Sequence, residues 1–179
     1  MPIHRGEEYL ESLRDGRRVW LMGQRVQDVT THPALAGCAR SVAAVYDLQH
    51  NPEHQELLTM PSPTTGQRVS LAYLLPQSVD DLGRQRRMYE FLVRQAGGVA
   101  ARLPQHLATV AIGLYDVRHL LGQEDPVFAE RVARYFAYCR ENDCSIATLF
   151  SDPLHHRNHP TAHQEPLRLV ARRPDGIIV

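Results

Sequence analysis

Up to residue 141 the apolar side chains of this chain recur mostly at intervals of three and four. Beyond Asn142-Asp143 they fall into short runs instead. A helix repeats every 3.6 residues and a strand every two, so this switch constrains the fold more than any other feature. It predicts a mainly α chain, with a helical domain over residues 1–143 and the first strands of a β-domain over 144–179. Glu7 to Asp15 reads as a short helix stopped by Gly16. Pro33 opens a second helix, with Leu35, Cys38, Val42 and Val45 as its apolar stripe, ending before Asn51-Pro52. Ser78-Val79-Asp80-Asp81 resembles a capping box and starts a helix to about Ala96, which Gly97-Gly98 breaks. Pro104 to Leu121 is helical, with Gly122 as its stop. Pro126 opens the last helix, where Phe128, Val132, Tyr135, Phe136 and Cys139 share a face.

Strand signals are few. Val19 to Val29 reads as a hairpin about a Gly23-Gln24 turn of type II′. Pro52, Pro61, Pro63 and Pro76 make residues 51–77 a loop region holding one short strand, Val69 to Leu74. Cys144 to Phe150, Leu167 to Ala171 and Ile177 to Val179 read as strands, the last two joined by Pro174-Asp175-Gly176. An apolar strand at Ile177 to Val179 predicts that a partner chain or homologue completes the sheet, or that the chain is a piece of a longer one. Left unpaired, that edge predicts an insoluble or oligomeric protein.

Composition narrows the function classes. The 179 residues hold 20 cations, all arginine, against 20 Asp+Glu, so formal net charge is zero. Nucleic-acid binding ordinarily needs a basic excess or stripe, and none is present. No apolar run approaches the ~20 residues of a membrane helix, and Met1 to Gly6 shows no secretory signal. Three cysteines, an odd number, fit a reducing cytoplasm better than a disulfide framework.

Four local features carry possible chemistry. His155, His156, His159 and His163 lie within nine residues and can ligate a metal through imidazole. Pro160 forbids a regular helix there, so a polar loop with no metal is the preferred reading. Cys139 and Cys144 form a redox or zinc pair or, as preferred, buried core thiols. Arg84, Arg86 and Arg87 lie opposite Leu82, Met88, Phe91 and Leu92, which favours a solvated face over an anion site. Arg102 follows a run of small residues and precedes Leu103-Pro104. It can clamp a carboxylate or phenolate in a cleft, or sit at the surface of a helix junction, and the residues alone leave both open.

Several blocks together carry a resemblance. They are Gly6 to Arg17, Gly23-Gln24-Arg25-Val26-Gln27-Asp28-Val29-Thr30-Thr31-His32-Pro33, Val45-Tyr46-Asp47-Leu48-Gln49-His50 and Asp80-Asp81-Leu82. Gly98 to Pro104, Asp152-Pro153 with Arg157, and Asp175-Gly176-Ile177-Ile178-Val179 complete the set. In order and spacing the chain resembles the N-terminal region of the 4-hydroxyphenylacetate 3-monooxygenase oxygenase family. The resemblance implies the helical N-terminal domain of an acyl-CoA-dehydrogenase-like fold, followed by the start of its β-domain. It implies a two-component enzyme that hydroxylates a phenolic or related aromatic substrate with O2 and reduced FAD from a separate flavin reductase. Known members are much longer, so most of the flavin site is expected outside this chain.

Carried over by position, the resemblance places Arg102 on a substrate-binding arginine. It places His106 on a substrate-binding tyrosine and Thr148 on a histidine that contacts the phenol. Asp152, Pro153 and Arg157 fall near the flavin. An imidazole at 106 can still donate to a phenolate, whereas Thr148 donates one hydrogen bond and cannot serve as a base as imidazole does. These replacements favour a different phenolic or heteroaromatic substrate over simple 4-hydroxyphenylacetate. The alternative is a truncated, non-catalytic paralogue that serves as a binding or regulatory subunit.

Overall fold

The computed structural model describes residues 3–98, 104–147, 171–173 and 176–178. Contacts divide the chain into two units, 1–147 and 148–179.

In the first unit a helix α1 (Gly6–Ser12) lies against α2 (Ala36–Leu48). The approach is close because Gly6 has no side chain: a Cβ there would sit 2.5 Å from the Ala43 carbonyl oxygen. The Gly6 N–H donates to Asp47 Oδ1 at 2.8 Å, and Tyr9 stacks on Tyr46 with centroids 5.0 Å apart. The buried face of α2 is Ala36, Ala39, Val42, Ala43, Val45 and Tyr46, while Cys38 is exposed. The expected stripe through Cys38 is therefore corrected, since alanines and a tyrosine carry much of the real face. The helix also begins three residues after Pro33. Asp28 organises the turns before it, accepting from the Thr30 N–H at 2.7 Å and the Thr30 hydroxyl at 2.6 Å.

Between α1 and α2 runs a hairpin of β1 (Val19–Leu21) and β2 (Gln24–Val26), antiparallel, with Trp20 opposite Arg25. Its turn is Met22-Gly23, with φ of 52° and 78°, and not Gly23-Gln24. Two positive φ angles give the type I′ pattern, which matches the twist of the flanking strands. Glycine fills its second central position.

After α2 come α3 (Gln55–Leu58), β3 (Thr59–Pro61) and β4 (Arg68–Ser70), the two strands paired antiparallel. The expected strand over 69–74 stops at Ser70, where the chain turns into a 3₁₀ helix, Leu71–Tyr73, buried at every residue. Around that turn gather Val45, Leu58, Met60 and Val69, with Met88 and Leu92 of α4 (Val79–Gln95), Ala108 and Ala111 of α5 (Pro104–Asp116), and Phe136 and Cys139 of α7 (Pro126–Glu141). This is the core.

The expected single helix from Pro104 to Leu121 is two helices. It breaks at Val117, and α6 (Arg118–Glu124) follows. Gly122 lies inside α6 rather than stopping it. A Cβ at Gly122 would meet the Ala129 Cβ at 3.0 Å, so this glycine lets α6 close on α7. Asp125 caps α7, accepting from Val127 N–H at 2.9 Å, with Pro126 in the first turn as expected. Of the expected α7 face, Phe136 and Cys139 are buried, but Phe128 and Tyr135 are exposed.

Residues 144–147 form no strand. In the second unit β5 (Ala171–Arg173) pairs antiparallel with β6 (Gly176–Ile178), Arg172 opposite Ile177. The remainder of the expected strand from Leu167 lies outside the described residues. Among the described residues no helix is long and apolar enough to cross a membrane.

Candidate functional site

The chain leaves α4 and α7 in the same way. At the end of α4, the Gly97 N–H donates to the Arg94 carbonyl at 3.4 Å and the Gly98 N–H to the Val93 carbonyl at 2.8 Å. At the end of α7, the Asp143 N–H donates to the Arg140 carbonyl at 3.4 Å and the Cys144 N–H to the Cys139 carbonyl at 3.0 Å. Both are Schellman motifs, which need a left-handed residue just beyond the cap. Gly97 supplies it at φ 60° and Asp143 at φ 44°.

Asp143 is 3% exposed. Its Oδ2 accepts from Gln49 Nε2 at 2.8 Å and from the His4 N–H at 3.2 Å. Its own carbonyl accepts the Tyr46 hydroxyl at 3.2 Å, and the Cys144 carbonyl accepts the Tyr73 hydroxyl at 2.8 Å. Burial pushes the Asp143 carboxyl above the ordinary 3.8, against the lowering effect of the Gln49 bond. Burial also raises both phenols well beyond the usual tyrosine range, so they act as hydrogen-bond donors. The Cys144 thiol is pushed up to about 11, by burial first and then by Cys139. Cys139 is buried in the core cluster, and the half-buried Cys144 packs against it. Among the described residues, Gln49 Oε1 is buried without a partner.

On the other side, α5 begins at Pro104 and carries His106 on its first turn, exposed. The His106 ring meets Tyr89 of α4 at 6.1 Å between centroids, planes 75° apart. Burial raises the Tyr89 phenol to about 12. Behind the α7 exit, Glu141 accepts Ser62 Oγ at 2.7 Å and Thr65 Oγ1 at 3.1 Å, and Arg140 donates to Thr64 Oγ1 at 2.8 Å. These bonds tie the loop between β3 and β4 to the end of α7.

Of the expected site residues, His106 is described, while Arg102, Thr148, Asp152, Pro153 and Arg157 lie outside the described residues. So does the His155–His163 loop. Among the described residues no three His, Cys, Asp or Glu side chains gather as metal ligands. A cavity of about 300 Å³ lies away from this region, between the end of α1 and the hairpin. Its arginines are already engaged, Arg14 with Glu11 and Asp28, and Arg17 with Asp15.

The 4-hydroxyphenylacetate 3-hydroxylase N-terminal family model matches residues 5–179. The chain belongs to this family. All of the chain aligns, at 36% identity over 184 residues, with the 4-hydroxyphenylacetate 3-monooxygenase oxygenase component of Geobacillus sp. (strain PA-9), of which it covers 37%. It matches the crystal structure of the oxygenase component HpaB complexed with FAD and 4-hydroxyphenylacetate with a TM-score of 0.83 and 32% identity. That match covers 97% of this chain and 36% of that one. An archaeal 4-hydroxybutyryl-CoA dehydratase from N. maritimus, 23% identical, shares the fold with a TM-score of 0.77 over 98% of this chain and 35% of its own. The chain thus spans little more than a third of the length of these relatives.

Membership of the 4-hydroxyphenylacetate 3-hydroxylase N-terminal family gives the Val45-to-His50 block a physical reading. Tyr46 and Gln49 bond Asp143, Asp47 accepts from Gly6, and His50 Nε2 lies 3.0 Å from the His4 carbonyl. The block fastens the N-terminal segment to the exit of α7. That Tyr46, Gln49, Tyr73 and Asp143 meet at the end of α7 was not legible in the sequence. A left-handed turn signal at Asn142-Asp143 was the one available hint.

Proposed function

We propose that this chain is the N-terminal part of the oxygenase component of an FADH2-dependent aromatic monooxygenase. The observation that carries this reading is the match over 97% of the chain to an oxygenase solved with FAD and 4-hydroxyphenylacetate. The reaction inserts one oxygen atom of O2 into a phenolic or related aromatic substrate and reduces the other to water, with FADH2 oxidised to FAD. A separate flavin reductase supplies the reduced FAD.

In this reading the residues of the chain bind and orient the substrate. Arg102 pairs its guanidinium with the phenolate or a ring substituent. His106 lies on the rigid first turn of α5 with its ring exposed, and Tyr89 backs it from α4. Thr148 donates one hydrogen bond to the substrate oxygen. Asp152, Pro153 and Arg157 face the flavin, most of whose site belongs to the part of the family sequence beyond this chain. Bound reduced FAD supplies the electrons that activate oxygen. Having Thr148 in place of a base favours substrates that ionise readily, and hence phenols other than 4-hydroxyphenylacetate. The protein is cytoplasmic in this reading.

Anaerobic titration with FADH2 tests the proposal, on the chain alone and mixed with a polypeptide carrying the missing two-thirds of the family sequence. Tight binding is expected only in the mixture, with an oxygen-dependent hydroxylated product when a phenol is added. Absence of binding in both cases would leave a non-catalytic binding subunit as the better reading.

A further inference from the structure

We propose that Cys139 and Cys144 form a modification site, a thiol pair that a peroxide oxidises to a disulfide across the end of α7. Neither cysteine has a part in the oxygenase reaction proposed above.

A Schellman motif brings together a residue of the last helical turn and the second residue beyond the cap, whose side chains ordinarily make an apolar contact. At the end of α7, capped by Asn142, these two positions are Cys139 and Cys144. The Cys144 N–H donates to the Cys139 carbonyl at 3.0 Å. Standard bond lengths then hold the two α-carbons within about 7 Å, the reach of a disulfide. The side chains meet as well. The Cys144 thiol hydrogen-bonds that of Cys139, and Cys144 packs against the core cluster to which Cys139 belongs. A contact that is ordinarily apolar is here thiol on thiol.

The two sulfurs differ in access. Cys139 is 2% exposed, whereas Cys144 is half-buried with Ser145 exposed beside it. A small oxidant therefore reaches Cys144 first. Its sulfur attacks one oxygen of hydrogen peroxide, the O–O bond breaks and water leaves, giving a sulfenic acid. The Cys139 sulfur then attacks the Cys144 sulfur and displaces that oxygen as a second water. Two thiols and one peroxide give one disulfide and two waters; the thiols lose two electrons, and their protons leave in the waters. Asp143, Cys139, Tyr135, Tyr73 and Tyr46 face Cys144, and none of these five is a cation. Burial and these neighbours hold the Cys144 thiol up at about 11. Thiolate is scarce there at neutral pH, so the pair stays reduced until peroxide accumulates.

The test uses the full chain carrying Cys38→Ser, which removes the exposed third thiol and with it cross-linking between molecules. The folded protein is treated with hydrogen peroxide at about pH 8, where more thiolate is present. Remaining thiols are alkylated, and the chain is digested with trypsin without reduction. Cleavage after Arg140 separates the two cysteines, so peptides 135–140 and 141–157 stay joined only through the disulfide.

The joined pair is expected to outnumber sulfinic or sulfonic Cys144 about tenfold, and to separate on reduction. The oxidised chain should keep its far-UV circular dichroism and a urea midpoint no lower than that of the reduced chain. Adding Cys139→Ser removes the second thiol and should carry Cys144 to the sulfinic acid instead. Cys144 found over-oxidised, or still open to alkylation, in the Cys38→Ser chain overturns the proposal. So does a joined pair that forms only with loss of the helical signal, because the folded contact is then not what brings the sulfurs together.

Discussion

Asp143 combines a φ of 44°, a carboxylate 3% exposed, and acceptance from Gln49 and the His4 main chain. Burial raises its carboxyl above 3.8, so the native state holds this proton more tightly than the unfolded chain. Its contribution to stability is therefore full below pH 3.8 and is lost as pH rises through the raised native value. His4, His50, Tyr46, Tyr73 and Cys144 are titratable groups that face it. Asp143→Asn, which tolerates the left-handed region and cannot ionise, should lack this slope. Urea midpoints for both proteins between pH 4 and 7 are expected to show wild type losing stability relative to the variant as pH rises. A gap moving the other way would mean that the Gln49 and His4 bonds outweigh burial. Gly6 poses a simpler question of space. Gly6→Ala puts a methyl 2.5 Å from the Ala43 carbonyl oxygen and 2.6 Å from Asp47 Oδ2. The two helices must part, which is expected to cost about 2 kcal/mol in urea denaturation.

Among the elements, what the sequence made legible was governed by local rules. Ser78 accepts from the Asp81 N–H at 3.1 Å at the start of α4, and Asp125 with Pro126 starts α7. Both starts follow from cap chemistry that needs no tertiary partner. Asp125→Ala should accordingly cost about 1 kcal/mol, read as a shift in thermal midpoint. At the end of α4 a Cβ on Gly97 would meet nothing within 4 Å, so Gly97→Ala isolates backbone strain at φ 60°. Its expected cost is about 1 kcal/mol, with Gly97→Asn costing less. Other boundaries were illegible because their causes are distant in sequence. Gly122 reads as a helix stop until Ala129 is seen packed against it. Cys38 fits a stripe at helical spacing, but the face that meets α1 is set by small residues that admit Gly6. Tyr135 and Phe128 satisfy the same periodicity as Phe136, yet stay exposed, because the core touches α7 through only part of its apolar surface.

At the scale of the molecule, the helical unit was legible as a class, and the long-range bonds that close its α7 end were not. Periodicity reports which side of an element is apolar. It says nothing of a tyrosine on α2 meeting a carbonyl 97 residues later in the chain. Those long-range bonds decide how much chain the helical unit needs. Cys144 and Ile146 pack against the core cluster, and Cys144 supplies one amide and one carbonyl to its closure. Every other member of that cluster lies between Val45 and Cys139. A chain ended after Ala147 keeps all of these contacts and should unfold cooperatively, with a urea midpoint within about 0.3 M of the full chain. A chain ended after Asp143 loses the Schellman closure, the Tyr73 bond and the Ile146 contact together. That truncation leaves the Tyr73 hydroxyl buried without its carbonyl, and its expected cost is about 2–3 kcal/mol. Circular dichroism of both truncations in urea separates the outcomes. Equal midpoints for the two would show that the helical unit ends at Asp143 and that Cys144 to Ala147 add nothing to its stability.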